Sequence, residues 1–348
     1  MTSIKFFLLF ILYSLLFTLF TIYSYTQVDL NLTLSSNPIY QSIQSQLTNI
    51  GYFNRPQSTI IFFSLLTLLS TFYFLLSAFS EKWYLSHKQL WILIIGSGLI
   101  LTLSYPAFAH DIFNYIFDAR TVVKYGQNPY FTTPLNFPDD DWTRFMRWTH
   151  VGSVYPPGWL ITTVPFYLLG FGKFTLTLLS FKLLGLISFL SSSWLILKIA
   201  GRRAWILWSF NPMVLIESLS SVHNEITMVA FTLLAFYIID VKKGLALPSA
   251  RPGLIKKIAP SLCIIFAGLI KYTSFLLLPF LRKPIYAAIA AWVGAIAFFF
   301  AREINPWYIL LPVAISFMSK NKYLVSLSLV SSLLIMYRYY PCAAIFSC

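Results

Sequence analysis

The chain has 348 residues, of which 58% are hydrophobic, 18% aromatic and only 10% charged, with a formal net charge of +14 and a mean hydropathy of +0.73. A soluble domain carries about 25% charged and 45–50% apolar residues, so this composition excludes a cytosolic enzyme, a disulfide-rich secreted domain and a disordered chain. Lys and Arg fall mostly in short gaps between apolar segments instead of clustering on a polar face, so the basic balance does not point to nucleic acid, and Cys263, Cys342 and Cys348 lack zinc-site or disulfide-framework spacing, leaving only a Cys342–Cys348 bridge open.

A helix needs about 20 apolar residues to cross a hydrocarbon core of about 30 Å. Residues 4–25 meet this, and a run too long for a signal peptide without a small-residue cleavage site reads as an uncleaved first span. Residues 58–79 and 89–109 give the next two. After a long polar loop come 174–200, 204–219, 226–241, 258–270, 272–281, 284–301, 307–318 and 323–340, several of them short. The predicted fold is therefore all-α: a polytopic bundle of about 11 transmembrane helices, one integral membrane domain over 1–348. It divides into three N-terminal spans (1–109), an outer loop (110–173) and the remaining spans (174–348).

Lys and Arg in connecting loops set orientation. An N-terminus in the cytoplasm places Lys82, Lys88, Arg202, Arg203, Lys242, Lys243, Arg251, Lys256, Lys257, Arg282, Lys283, Lys320 and Lys322 inside. Asp29, Asp111, Asp118, Asp139, Asp140, Asp141, Glu225 and Glu303 then fall outside, with Glu81 and Asp240 inside. Residues 157–170, interrupted by Pro165 and closed by Gly170 and Gly172, would put Arg202 and Arg203 outside if they crossed fully. They read as an interfacial or re-entrant segment, which is allowed where broken backbone is buried or lines a cavity.

The loop 110–156 opens with a predicted helix stopped by Gly126, and Asn128-Pro129-Tyr130 begins a turn. Asp111, Asn114, Asp118, Thr121 and Tyr125 share one face, and Ile112, Ile116, Ala119 and Val123 the other, the pattern of a helix lying on a membrane surface with its apolar side down. Asp111 reads either as a helix cap, worth about 1 kcal/mol, or as a carboxylate held at headgroup level. Asp139-Asp140-Asp141 is either a solvated run or a divalent-metal site. Lys271 splits an apolar stretch of which neither half spans alone, and Glu217, His223, Asn224 and Glu225 cluster where two helices adjoin. Intramembrane ionisable groups cost at least about 2.5 kcal/mol each and face a cavity or a partner; Lys271 fits either a cavity or a structural pair.

In chain order, His110-Asp111 through Asp118 and Arg120, Gly126-Gln127-Asn128-Pro129-Tyr130, Tyr155-Pro156-Pro157, Phe171-Gly172-Lys173-Phe174, Gly201-Arg202-Arg203, Asn211-Pro212, His223-Asn224-Glu225, Gly268 to Lys271 with Pro279, and Pro306-Trp307-Tyr308 form a series. The series resembles the GT-C superfamily of membrane glycosyltransferases that use polyprenyl-phosphate sugars. Within it the likeness is to polyprenol-phosphate-mannose-dependent mannosyltransferases, both the bacterial multi-pass type and the first mannosyltransferase of GPI-anchor synthesis. It covers residues from about 105 to 310, with Glu225 where relatives commonly carry aspartate and a C-terminal end that looks short.

The resemblance implies transfer of a hexose, mannose by analogy, from a polyprenyl-phosphate sugar to a lipid or glycan hydroxyl in a single inverting displacement. It places the site on the extracytoplasmic face of the cell membrane, or the lumenal face of the ER membrane in a eukaryote. An acceptor hydroxyl needs a carboxylate base within hydrogen-bond reach, which Asp111 supplies, and the departing lipid phosphate needs a cation, supplied by Lys271 with Arg120 or His223. Asp118, Asn128, Tyr130, Tyr155, Asn224, Glu225, Trp307 and Tyr308 are the expected substrate-binding residues. No cofactor is expected, a divalent metal being optional, and the partners are the lipid-linked donor, the acceptor and membrane lipids. The rival readings are a polytopic transporter or lipid-linked-sugar flippase, a transferase of another sugar, and a non-catalytic membrane subunit.

Overall fold

A computed structural model describes residues 3–80, 82–244, 254–303 and 305–340, and among these all regular structure is helical, with no strand. Glu81, Arg251, Cys342 and Cys348 lie outside the described residues, and with them the Cys342–Cys348 bridge. The N-terminal part comprises α1 (Ser3–Ser24), α2 (Pro38–Thr48), α3 (Arg55–Phe79) and α4 (His87–Thr102). The loop region holds α5 (Asp111–Tyr125) and α6 (Pro157–Leu168). Next come α7 (Phe174–Ala200), α8 (Arg202–Ser209), α9 (Pro212–Leu215) and α10 (Glu225–Gly244). The chain continues through α11 (Leu254–Ile270), α12 (Pro284–Ala301), α13 (Leu310–Ser319) and α14 (Lys322–Tyr340).

Four helices among the described residues are long and apolar enough to cross a membrane: Ile4–Gln27, Arg55–Phe79, Phe174–Ala200 and Pro284–Ala301. Their outward stripes expose large apolar side chains at helical spacing, as in Ile4, Leu8, Leu12, Leu15, Leu19 and Ile22 of α1 or Leu176, Leu179, Leu183 and Ile187 of α7. A soluble monomer does not show such stripes; lipid covers them, and this is a membrane protein.

The remaining predicted spans do not form single long helices among the described residues, because several apolar runs are interrupted. Residues 89–109 carry helix only to Thr102. Asn211-Pro212 breaks 204–219, the Asn211 side chain accepting from the N–H groups of Met213 and Val214 to start a new helix. A π-helical turn, Ile216–Ser220, follows, and the segments Pro212–Ser220 and Glu225–Asp240 meet at 114°, so they count as a fifth span only as a broken pair. Within 272–281 the helix is Tyr272–Phe280, and it is 3₁₀-helical, not α-helical. The segment read as interfacial or re-entrant is α6, a 12-residue helix packed against α5, α7 and α11.

The structure corrects the surface placement of α5. Every residue from Ile112 to Phe117 is buried, as are Ala119, Arg120 and Thr121, so over these residues neither face lies on solvent, and only the last turn, at Val123 and Lys124, is exposed. The polar face is covered by the loop that follows it, and Tyr115 is wedged edge-on between Tyr155 at 4.6 Å and Trp159 at 4.9 Å. An aromatic pair of this geometry is worth about 0.5–1.5 kcal/mol beyond its buried area. Gly126 ends the helix with φ +62, as expected for a C-terminal glycine.

Candidate active site

Two interrupted apolar segments meet where α5 begins. In the first, a chain reversal at Ser221–Asn224 separates the π-helical turn from α10, and Val222 adopts φ +56, a strained conformation for a β-branched residue. The reversal fits against α7 at Gly185, where a Cβ would stand 2.7 Å from the Ser218 carbonyl oxygen. In the second, α11 ends at Ile270 and Lys271 is extended before a 3₁₀ helix, Tyr272–Phe280. The two breaks touch: Asn224 donates from Nδ2 to the Ile270 carbonyl at 3.3 Å, and Lys271 Nζ pairs with Glu225. Broken helices build buried polar sites in this way, because unpaired backbone and helix ends converge with ionisable side chains.

Asp111 is the first residue of α5, but its side chain does not cap the helix, which excludes the capping reading. Its Oδ2 lies 3.3 Å from His223 Nδ1, and Tyr155 donates from its hydroxyl to Oδ1 at 3.3 Å. His223 Nε2 lies 3.2 Å from Oε2 of the fully buried Glu217, giving a row of carboxylate, imidazole and carboxylate. Both imidazole contacts are at ion-pair distance without hydrogen-bond alignment. Trp307 stacks on His223 at 4.0 Å and 20°, and Lys271 Nζ sits 5.1 Å above the Tyr308 ring. Burial alone would raise the Asp111 carboxyl, but His223, Lys271 and Tyr155 outweigh it and hold the group below the ordinary carboxylate value.

A cleft of about 630 Å³ opens over these residues, lined by Asp111, Tyr155, Asn224, Lys271, Trp307 and Tyr308 together with Arg147, Trp148, Tyr272, Arg302 and Glu303. The volume suits one sugar and its phosphate, being within the usual range for small-ligand pockets. His223 and Glu225 act from behind the wall.

Besides His223 and Glu225, four predicted residues do not line the cleft. The Arg120 guanidinium is turned away, bound in bidentate fashion by Asp140 at 2.6 and 3.2 Å, donating to Tyr167 Oη at 3.1 Å and lying 3.8 Å from the Trp142 ring. Every arm of the fork is engaged, which removes Arg120 from the phosphate ligands. Asn128 shapes its own turn, accepting from the Tyr130 N–H at 3.0 Å, and Tyr130 donates to the Tyr155 carbonyl at 2.9 Å, so this pair braces a cleft residue from outside. Asp118 is half-buried on α5, and burial raises its carboxyl.

Asp140 also answers the aspartate-run question. It is buried, bonded to Arg120, Lys124 and Tyr125, and held far below the usual range: burial opposes the charge, and these hydrogen bonds overcome it. Asp139 and Asp141 point outward, and among the described residues no group of three or more His, Cys, Asp or Glu could hold a metal ion.

Reading the sequence missed Arg147 and Arg302. Arg147 pairs with Asp29 at 3.5 Å, and Asp29 also lies 3.4 Å from His110, tying the α1–α2 connection to the cleft rim. Arg302 is exposed at the end of α12. Neither stands within an apolar run, so no cost of burial marked it.

Residues 21–296 match the family model described as Alpha-(1->6)-mannopyranosyltransferase, N-terminal domain, of the MptA_B family. The chain belongs to this family. No curated protein and no solved structure matches it significantly. The family makes the chain a mannosyl glycosyltransferase, replacing the transporter and flippase reading, and the matched residues include Asp111, His223, Glu225 and Lys271.

Proposed function

We propose that the chain transfers mannose from a polyprenyl-phosphate mannose to a sugar hydroxyl, with Asp111 as general base and the cleft on the extracytoplasmic face. The observation that carries this reading is the Asp111 carboxylate opening on the same cleft as Lys271, at the junction of two broken helices. The acceptor hydroxyl gives its proton to Asp111 as its oxygen attacks the anomeric carbon. The bond from that carbon to the phosphate oxygen breaks, and the lipid phosphate leaves toward Lys271, with Arg302 as a second cation lining the cleft. A single displacement turns a β-linked donor into an α-mannoside.

The linkage in the family description would make the acceptor group the primary 6-hydroxyl of a sugar. Trp148 and Tyr272, both exposed in the cleft, are placed to stack on sugar rings. His223 and Glu217 orient Asp111 rather than touching phosphate, a revision of the role expected for His223. The multi-pass, GT-C-like arrangement fits the exposed apolar stripes and the broken spans.

The test is transfer by the purified chain from labelled polyprenyl-phosphate mannose, glucose and arabinose, and from a nucleotide-linked mannose, to mannose-terminated acceptors, with and without excess chelator. The expected result is α-linked product from the mannosyl donor alone, unaffected by chelator. Product from a nucleotide-sugar donor, and none from the lipid donor, would overturn the donor assignment.

A further inference from the structure

A second cavity, of about 350 Å³, lies away from the cleft between the α1–α2 connection, the end of α4 and α7. Its walls are mainly apolar, including Leu34, Leu103, Phe113, Phe145, Phe174 and Leu178. Leu103 is 61% and Leu179 45% exposed on the apolar outer surface, so the cavity is bordered by the face that lipid covers.

Lys182 of α7 also lines it, and this lysine is 2% exposed. Its ammonium donates to the carbonyls of Leu219 and Ser220 at 3.2 and 2.5 Å, and among the described residues no carboxylate stands within ion-pair distance of it. An ammonium has three donors, so one is left over. Tyr105 lines the same cavity with a buried hydroxyl that has no hydrogen-bond partner among the described residues. Of the other polar groups lining it, Tyr25 donates to the Leu103 carbonyl, Thr102 to the Gly98 carbonyl and Ser104 to the Leu101 carbonyl. Buried charges are paired or strongly unfavourable, and buried polar groups are bonded. A buried cation and a free hydroxyl facing an apolar cavity at a lipid-covered surface call for a ligand that is anionic at one end and hydrocarbon at the other.

We infer that this cavity is a binding site for a lipid with a phosphate head, the phosphate meeting Lys182 and Tyr105 and a chain lying along Leu103 and Leu179. The site is separate from the cleft and does not depend on the donor assignment. Because Lys182 also supports the turn ahead of His223, transfer activity is not a clean readout, and binding is measured instead.

The experiment is native mass spectrometry of the full chain in uncharged detergent, with dioleoyl phosphatidate and dioleoylglycerol as paired probes. The native protein should retain the phosphatidate at least about tenfold better, a difference of about 1.4 kcal/mol. Lys182→Met should remove that preference, Tyr105→Phe should reduce it, and Leu179→Trp, which fills the cavity from its exposed wall, should lower phosphatidate retention with Lys182 intact. Millimolar inorganic phosphate should not compete. Equal retention of both probes by the native protein, a native preference in Leu179→Trp or in a monodisperse Lys182→Met, or displacement of phosphatidate by inorganic phosphate would each overturn the assignment.

Discussion

Two clusters of buried charge flank α5. At its start Asp111 meets His223, Glu217 and Tyr155; nearer its end Arg120 and Lys124 meet Asp140. Both carboxylates, Asp111 and Asp140, are held below the ordinary range, so neither burial nor a perturbed acidity separates the proposed base from a structural carboxylate. What separates them is what they face. Asp111 opens on a cleft with lone-pair capacity to spare, whereas Asp140 spends its oxygens on an arginine fork, a lysine, a tyrosine and the Trp142 N–H.

The widest separation between the clusters is expected from paired isosteric changes. Asp111→Asn should lower kcat for mannosyl transfer by about 10²–10⁴-fold, the usual contribution of a general base, with an unchanged thermal midpoint. Asp140→Asn should leave kcat within a few-fold and instead destabilise the protein by about 3–5 kcal/mol, because it strands a buried guanidinium; thermal unfolding with parallel initial-rate assays reads both. A reversal of the two effects would break the comparison.

Lys271→Met comes next, with a loss of about 10²–10³-fold in kcat from weaker stabilisation of the leaving phosphate. Arg120→Met should show no such loss, since its guanidinium does not line the cleft. Rates measured with the lipid-linked donor distinguish them.

Acid titration sharpens the contrast. As the proposed base, Asp111 works only when ionised, and its lowered folded value should place the acid limb of kcat/KM below the ordinary carboxylate value. His223→Gln removes a group that lowers Asp111 while burial still raises it, so the acid limb should move up and activity at pH 5 should fall relative to pH 7.5. Asp140 follows linkage: its folded value lies below the unfolded one, so its stabilisation is complete above the unfolded value of about 4 and is lost as pH falls through the folded value. Asp140→Asn should flatten that acid-dependent loss of stability.

The smallest effect is expected from Gly185→Ala, whose Cβ would press on the Ser218 carbonyl and Val222. A few-fold fall in kcat with little change in donor KM would show that the break bearing His223 must sit close to α7. No change would mean that the turn yields freely.

Much of the cleft could be read from residue type. Asp111, Lys271 and the His223-Asn224-Glu225 run stood out because charges in apolar surroundings are costly, and the structure gathers them at two helix breaks. Arg120 misled for a related reason: a cation near the candidate base reads alike whether its fork faces substrate or an aspartate 20 residues on, and only the fold decides. The amphipathic pattern of α5 predicted a surface helix, yet the loop after it covers the polar face. Among the described residues four helices, or five with the broken pair, have the length and apolarity of spans, because the helices themselves stop at breaks such as Asn211-Pro212 and Lys271 that divide the apolar runs. Arg147 and Arg302 lie in polar connections, where a cation carries no signal.

The most direct test of Asp111 removes its carboxylate and returns one from solution. Asp111→Gly, loaded with polyprenyl-phosphate mannose and acceptor, should bind donor yet transfer no mannose, and added formate should restore transfer, while Asp140→Gly gains nothing from formate. Transfer by Asp111→Gly at close to the native rate without formate would contradict the assignment of the base.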